Sequence, residues 1–248
     1  MIVQADAAAL PFVPDTFDVV VADPPYKGRM RGKRALAGRT SGYIPYRDDR
    51  WFAEAWRVLR PGGSLYVFCA IRELARWLGR RAPHDVICWY APNATAVASY
   101  WLRGITGRAP AWRPIVHYIK PPVSRDAWRW GERATNGARD PRHAEATFSA
   151  LRQATREGWV DPNFYSTSAI QSTMREAEAW PNQLPVALLR WLLRPHRQSR
   201  VLDLFAGSGT TRVAAETWGI TTVSVDLSPE ALAINAARPA QRGLAALG

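Results

Sequence analysis

Residues 200–226 constrain the fold more tightly than any other stretch of this 248-residue chain. Arg200–Leu204 is a short run of strand character that passes directly into Phe205-Ala206-Gly207-Ser208-Gly209 and then into Thr210–Trp218, an apolar-periodic segment of helical character. A second β-branched run, Thr221–Val225, ends at Asp226. Strand, Gly-rich turn, helix and strand in this order make one unit of a parallel sheet. Glycines let the backbone approach a ligand closely, and the helix that follows opens with unpaired N–H groups. A carboxylate about 20 residues further on stands where ribose hydroxyls are held. Together these features predict a nucleotide-shaped cofactor pocket. A pyrophosphate fingerprint would need a third glycine three residues beyond the second, and Arg212 occupies that place.

The same β-α rhythm recurs towards the N-terminus. Phe17–Ala22 is a β-branched run ending at two prolines, which predicts a buried parallel strand followed by a loop. Residues 49–60 carry Trp51, Phe52, Ala55, Trp56 and Leu59 at helical spacing, and Pro61-Gly62-Gly63 is expected to turn the chain into a strand from Ser64 to Ala70. A helix is expected over Arg72–Arg81, strands over Asp85–Tyr90 and Pro114–Ile119, and, later, helices over Pro185–Leu193 and after Ser228-Pro229-Glu230. Between Lys120 and Ala179 the rhythm is lost in favour of Arg, Trp, Asp and Asn. The expectation is an α/β, Rossmann-like, doubly wound and mostly parallel sheet, made by residues 1–119 and 180–248 and interrupted by an insertion at 120–179.

Charge narrows the partner. Lys and Arg number 33 against 21 Asp and Glu, a formal net charge of +12, and nearly all the basic residues are Arg, which favours a polyanionic partner. No apolar run approaches the ~20 residues of a membrane helix. The opening Met1-Ile2-Val3-Gln4-Ala5-Asp6 lacks the basic segment and apolar core of a signal peptide, so a cytoplasmic location is expected. Cys69 and Cys88 lie in apolar stretches and predict buried free thiols, and His84, His117, His143 and His196 show no metal-ligand spacing, so no metal is assigned.

A second motif, Asp23-Pro24-Pro25-Tyr26, follows the Phe17–Ala22 strand immediately. A conjugated exocyclic amine is a poor nucleophile until something accepts its N–H bonds. The carboxylate of Asp23 and the carbonyl of Pro24 suit that task, the prolines fix the backbone that carries them, and Tyr26 would stack on a base turned out of a duplex. Chemistry at cytosine C5 would need a thiolate nucleophile, customarily after proline, whereas Cys69 follows Phe68 and Cys88 follows Ile87.

With these motifs in view, the chain resembles the amino-methylating DNA methyltransferases over almost its whole length. Asp203–Gly209 resembles their S-adenosylmethionine loop, Gln4-Ala5-Asp6 with Phe17–Tyr26 their opening, Arg57–Ser64 their next helix-turn-strand, and Pro181–Leu189 the segment before the cofactor loop. Two positions depart from that last pattern, Trp180 where the family usually has His and Leu184 where it usually has Lys. The tetrad precedes the cofactor loop, as in the family's β group; RNA and protein-glutamine methylators with related tetrads usually run the other way.

The resemblance implies methyl transfer from S-adenosylmethionine to the N6 amino group of adenine in duplex DNA, since Asp at the first tetrad position is commoner among adenine enzymes; N4 of cytosine is the alternative. An RNA or protein N-methyltransferase and a non-catalytic DNA-binding relative are the readings from other classes. The catalytic residues would be Asp23, Pro24, Pro25 and Tyr26. The cofactor would meet Asp6, Ala7, Asp23, Asn182, Gln183, Asp203, Phe205, Ala206, Gly207, Ser208, Gly209, Thr210, Thr211, Asp226 and Leu227. Lys27, Arg29, Arg31, Lys33, Arg34 and Arg39 form a Gly-interleaved basic loop suited to DNA phosphates. Arg125, Arg129, Arg133, Asn136, Arg139 and Arg142 in the insertion are candidates for base edges, with Trp128, Trp130 and Trp159 as small-core anchors. A second copy of the chain and a cognate restriction enzyme complete the expected partners.

Overall fold

The computed structural model describes residues 1–25, 49–90, 112–122, 169–171 and 183–239. Tyr26, the basic loop from Lys27 to Arg39, the recognition candidates Arg125 to Arg142, the three insertion tryptophans, Trp180 and Asn182 lie outside the described residues.

Strands β1 (Ile2–Gln4), β2 (Phe17–Ala22), β3 (Leu59–Phe68), β4 (Asp85–Tyr90), β5 (Trp112–Ile119), β6 (Ala169–Gln171), β7 (Arg200–Asp203) and β8 (Thr221–Asp226) form one sheet in the order β1-β8-β7-β2-β3-β5-β4-β6. Pairing is parallel from β1 through β3, and within the described residues β5 alone runs against the rest. This is the mostly parallel α/β sheet the alternation predicts.

Alternate residues of the central strands feed two cores. On one face Phe17, Val20, Ala22, Leu65 and Leu202 pack with Trp51, Phe52, Ala55 and Val58 of helix α1 (Arg50–Val58) and with Trp77 of the short helix α2 (Leu74–Leu78). On the other, Val19, Val21, Phe68 and Val201 meet Leu188, Leu189 and Leu192 of α3 (Val186–Leu193) and Val213 to Ala215 of α4 (Thr210–Glu216). Helix α5 (Pro229–Ala237) starts from Ser228, whose hydroxyl accepts from the Ala231 amide. Each large apolar side chain sealed this way contributes about 1.5–3 kcal/mol, and a strand buried on both faces has to be apolar at every position, as Val19-Val20-Val21 is.

Several expectations change in detail. The helix expected over Arg72–Arg81 is a 3-10 turn at Ile71–Glu73 followed by only Leu74–Leu78, because the chain leaves the helix at Gly79. Pro61-Gly62-Gly63 is a bulge within β3 rather than a turn before it: the register jumps from Phe17↔Leu59 to Val19↔Ser64. Three residues of the expected insertion, Ala169–Gln171, are a strand of the main sheet. Lys120, expected to begin the insertion, is held by the sheet domain; its Nζ donates to Asp15 Oδ1 at 2.7 Å and to the carbonyls of Trp56 at 2.9 Å and Leu59 at 2.5 Å. Cys69 is buried as expected, whereas Cys88 is only half-buried. Among the described residues no helix is long and apolar enough to cross a membrane.

A ring cluster lies on the α3 face. Tyr66 stacks on His117, with centroids 4.4 Å apart, and meets His196 Nε2 through its hydroxyl at 2.8 Å, while His117 Nε2 lies 3.0 Å from Ser64 Oγ. Burial drives the His117 imidazole down to about 3 and that of His196 to about 4, so both are neutral in the fold.

Candidate active site

From β7 the chain proceeds outward to β8, and from β2 it proceeds the opposite way to β3, so the winding direction reverses between β7 and β2. At such a switch point the loops leaving the carboxyl ends of neighbouring strands diverge and open a crevice. Val21 and Asp203 are partners in register, and the Leu204 amide still bonds to the Val21 carbonyl at 3.1 Å before the loops separate. The two sequence motifs therefore stand side by side. Asp23-Pro24-Pro25 leaves β2, with Asp23 half-buried and Pro24 buried, and Phe205–Gly209 leaves β7.

Asp203 closes β7 and is 5% exposed. Burial pushes its carboxyl up to about 7; the hydroxyl of Thr211 and the amide of Phe205, at 3.3 Å, donate to it and oppose the rise, while the carboxylates of Asp226 and Asp23 add to it. Three carboxyl groups thus sense one another at this end of the sheet. Their field is negative, and a positively charged ligand would relieve it.

Asp226, at the end of β8, holds the loop and lies close enough to Asp203 to raise its carboxyl. One of its oxygens accepts from the Gly207 amide and the other from the Ser228 amide, both at 2.9 Å. A carboxylate has about four acceptor positions, so two remain for hydroxyls. Leu227, the next residue, is exposed. The N-terminal loop joins from β1: the Ala5 amide bonds to the Asp226 carbonyl at 3.2 Å, Asp6 Oδ1 accepts from the Ala8 amide at 2.8 Å, and Ala7 is buried in the α1-side core.

Within the loop, Ala206 is tied to the Val225 carbonyl at 3.0 Å and the Gly209 amide returns to Ala206 at 2.7 Å. Gly209 has φ +77°, and a Cβ there would lie 2.0 Å from Asn235 Oδ1. Only glycine meets both conditions. Ser208 is buried, and its hydroxyl donates to Gln183 Oε1 at 2.9 Å, which joins the segment before α3 to the Gly-rich loop. Leu184, where the resembled family usually has Lys, packs against the α3-side core. Thr210 and Thr211 are buried in the first turn of α4.

Phe205 lays its ring against Trp51 of α1 edge-on, 5.5 Å between centroids, so the first half of the chain supports the loop of the second. Neither Trp51 nor Asn235 stands out in sequence as a site residue. Trp51 reads as one apolar position of an amphipathic helix, and Asn235 as a lone polar residue among alanines. Among the described residues no three His, Cys, Asp or Glu side chains gather as a metal site would require.

The sequence profile of the family described as DNA methylase, covering N6 and N4 amino methyltransferases, matches residues 17–237. The type II methyltransferase M.HpaI of Haemophilus parainfluenzae is 22% identical over 222 residues, spanning 87% of this chain and 66% of that protein, just under two thirds of its length. The PvuII DNA methyltransferase, which is cytosine-N4-specific, superposes with a TM-score of 0.61 at 16% identity, covering 98% of this chain and 87% of that one. M1.HpyAVI in complex with S-adenosylmethionine superposes with a TM-score of 0.54 at 17% identity, covering 89% and 87%. At these identities the two structures share the fold.

Proposed function

Because this chain belongs to the DNA methylase family of N6 and N4 amino methyltransferases, we propose that it methylates the N6 amino group of adenine in duplex DNA, with S-adenosylmethionine as methyl donor. The observation that carries this reading is the placement of Asp23 at the switch-point crevice, directly beside the Asp203–Gly209 loop. When bound, the cofactor supplies an electrophilic methyl group on a positively charged sulfur.

The residues present fit such a ligand. The carboxyls of Asp23, Asp203 and Asp226 favour a cation, the two spare acceptor positions of Asp226 suit ribose hydroxyls, and the loop from Phe205 to Gly209 brings backbone close. Asp6, Ala7, Asn182, Gln183, Thr210, Thr211 and Leu227 complete the proposed cofactor contacts. In the reaction Asp23 accepts one N–H bond of the amine and the Pro24 carbonyl the other. This draws the nitrogen lone pair out of conjugation and offers its proton a route away after transfer. Pro25 stiffens the turn, and Tyr26 stacks on the flipped base.

Asp rather than Ser at the first tetrad position supports adenine over cytosine, and the order of tetrad before cofactor loop supports β-group membership. The basic loop of Lys27, Arg29, Arg31, Lys33, Arg34 and Arg39 binds DNA phosphates in this reading, and the insertion expected at 120–179, less Lys120 and Ala169–Gln171 of the sheet, reads sequence. Cytoplasmic action, a second copy of the chain and a cognate restriction enzyme belong to the same proposal.

Transfer of tritium from labelled cofactor to duplex DNA tests it. Asp23→Ala is expected to abolish incorporation while DNA binding survives, and Asp226→Ala to weaken cofactor binding chiefly. Wild-type turnover by the Asp23 variant would remove that carboxylate from the mechanism.

A further inference from the structure

Helix α5 ends against the cofactor loop, and two arginines cross between them. Arg212, in the first turn of α4, donates through Nε to Asn235 Oδ1 at 2.9 Å and through Nη2 to the carbonyls of Asn235 and Arg238, both at 2.6 Å. Its Nη1 pairs with Glu216 at 2.6 Å. A cation on the last carbonyls of a helix is favourably placed for the helix dipole, so this contact fixes where α5 stops.

Arg238, the residue after that helix, reaches back. Its Nη1 lies 3.0 Å from Thr210 Oγ1, 3.2 Å from Ser208 Oγ and 3.4 Å from the Ser208 carbonyl. The Ser208 hydroxyl accepts from this guanidinium and donates its own proton to the buried Gln183 at 2.9 Å. A charged donor polarises the hydroxyl it binds and strengthens the next bond in the chain.

We infer that Arg238 is a positioning residue for the cofactor, acting through Ser208 to hold both the Gly207–Gly209 turn and the Gln183 side chain in their binding geometry. Arg238 lies outside every sequence motif of the site, 30 positions beyond Ser208. The guanidinium is suited to the role because its several donors are fixed in one plane and it stays charged at any working pH. Lysine would keep the charge as a single mobile ammonium.

The test is a double-mutant cycle read in the Kd for S-adenosylmethionine by titration calorimetry on the full chain, with melting temperatures recorded alongside. Arg238→Met is expected to raise Kd by on the order of tenfold or more, the size of a lost charge-assisted hydrogen bond. Ser208→Ala should have a similar effect, and the double variant should be no worse than the weaker single one, since the residues act in series. Arg238→Lys should fall between wild type and Met, and it keeps the test open should the Met variant not fold. A role in stability alone would lower the melting temperature and leave the Kd unchanged.

A Kd within twofold of wild type for Arg238→Met, a Lys variant no better than Met, or effects that multiply in the double variant would overturn the inference. The inference rests on S-adenosylmethionine being the ligand. Failure of the wild-type chain to bind it would overturn that reading and this one together, whereas normal wild-type binding with an unaffected Arg238 variant would overturn this one alone.

Discussion

Asp203→Asn isolates the electrostatic cost of the crevice. The carboxyl is buried and pushed from an ordinary value of 3.8 up to about 7, so the folded chain holds a proton there that the unfolded chain has already released. For a group raised in the fold, the stability it contributes is complete below about pH 3.8 and is lost as pH rises towards 7. At about 1.4 kcal/mol per pH unit, the loss amounts to about 2 kcal/mol at pH 5 and levels off at about 4 kcal/mol above pH 7. Asparagine keeps an acceptor for the Phe205 amide and the Thr211 hydroxyl and carries no titrating proton. The variant should therefore gain on wild type as pH rises, with most of the gain accruing between pH 4 and 7. Urea unfolding at pH 5, 6, 7 and 8 measures this directly. The same variant should bind a cationic cofactor more weakly at pH 8, because the negative charge that attracts it is gone. A stability difference between variant and wild type that stays constant from pH 5 to 8 would refute the reasoning.

Two further perturbations probe the loop and the opposite face of the sheet. Gly209→Ala places a side chain at φ +77° and 2.0 Å from Asn235 Oδ1; the left-handed backbone costs about 1–2 kcal/mol and displacing Asn235 breaks its charged bond to Arg212, about 1.5–3 kcal/mol more, so denaturant melts should show a loss of this combined size and calorimetry a weakened cofactor site. His117 and His196, neutral in the fold and ordinary when unfolded, take up protons only on unfolding between about pH 4 and 6.5. Acidification from pH 7.5 to 5.5 should then remove about 1.4 kcal/mol per histidine, set against roughly 2 kcal/mol that Asp203 regains over the same interval, so the pH 7.5-to-5.5 change of His196→Gln in urea melts should be about 1.4 kcal/mol more favourable than that of wild type.

How much of this was legible in the sequence depends on where each signal resides. Val19-Val20-Val21 and Val201-Leu202 announce buried parallel strands because burial on two faces forbids polar residues, and Gly209 in the turn after β7 announces a close approach because a Cβ there would meet Asn235. Strands β1 and β6, three residues each, carry too few positions to set a period. The bulge at Pro61-Gly62-Gly63 reads locally as a turn, since its strand character comes from neighbours: the Gly62 amide bonds to Lys120 at 2.7 Å and the Lys120 amide to Gly63 at 3.0 Å. Asp226 was visible as a carboxylate at the right spacing, but its hold on Gly207 and Ser228 was not. Arg238 had no sequence signal, because its role comes from its reach back, after α5, to Ser208 and Thr210.

The identity of the methylated base decides whether Asp23 serves the amino group of adenine. Duplex DNA incubated with the chain and S-adenosylmethionine is digested to nucleosides and the product identified by mass spectrometry. N6-methyldeoxyadenosine is the expected product, absent when Asp23→Ala replaces the wild type. N4-methyldeoxycytidine as the sole product, or methyl label found only in RNA or protein incubated in parallel, would contradict that assignment.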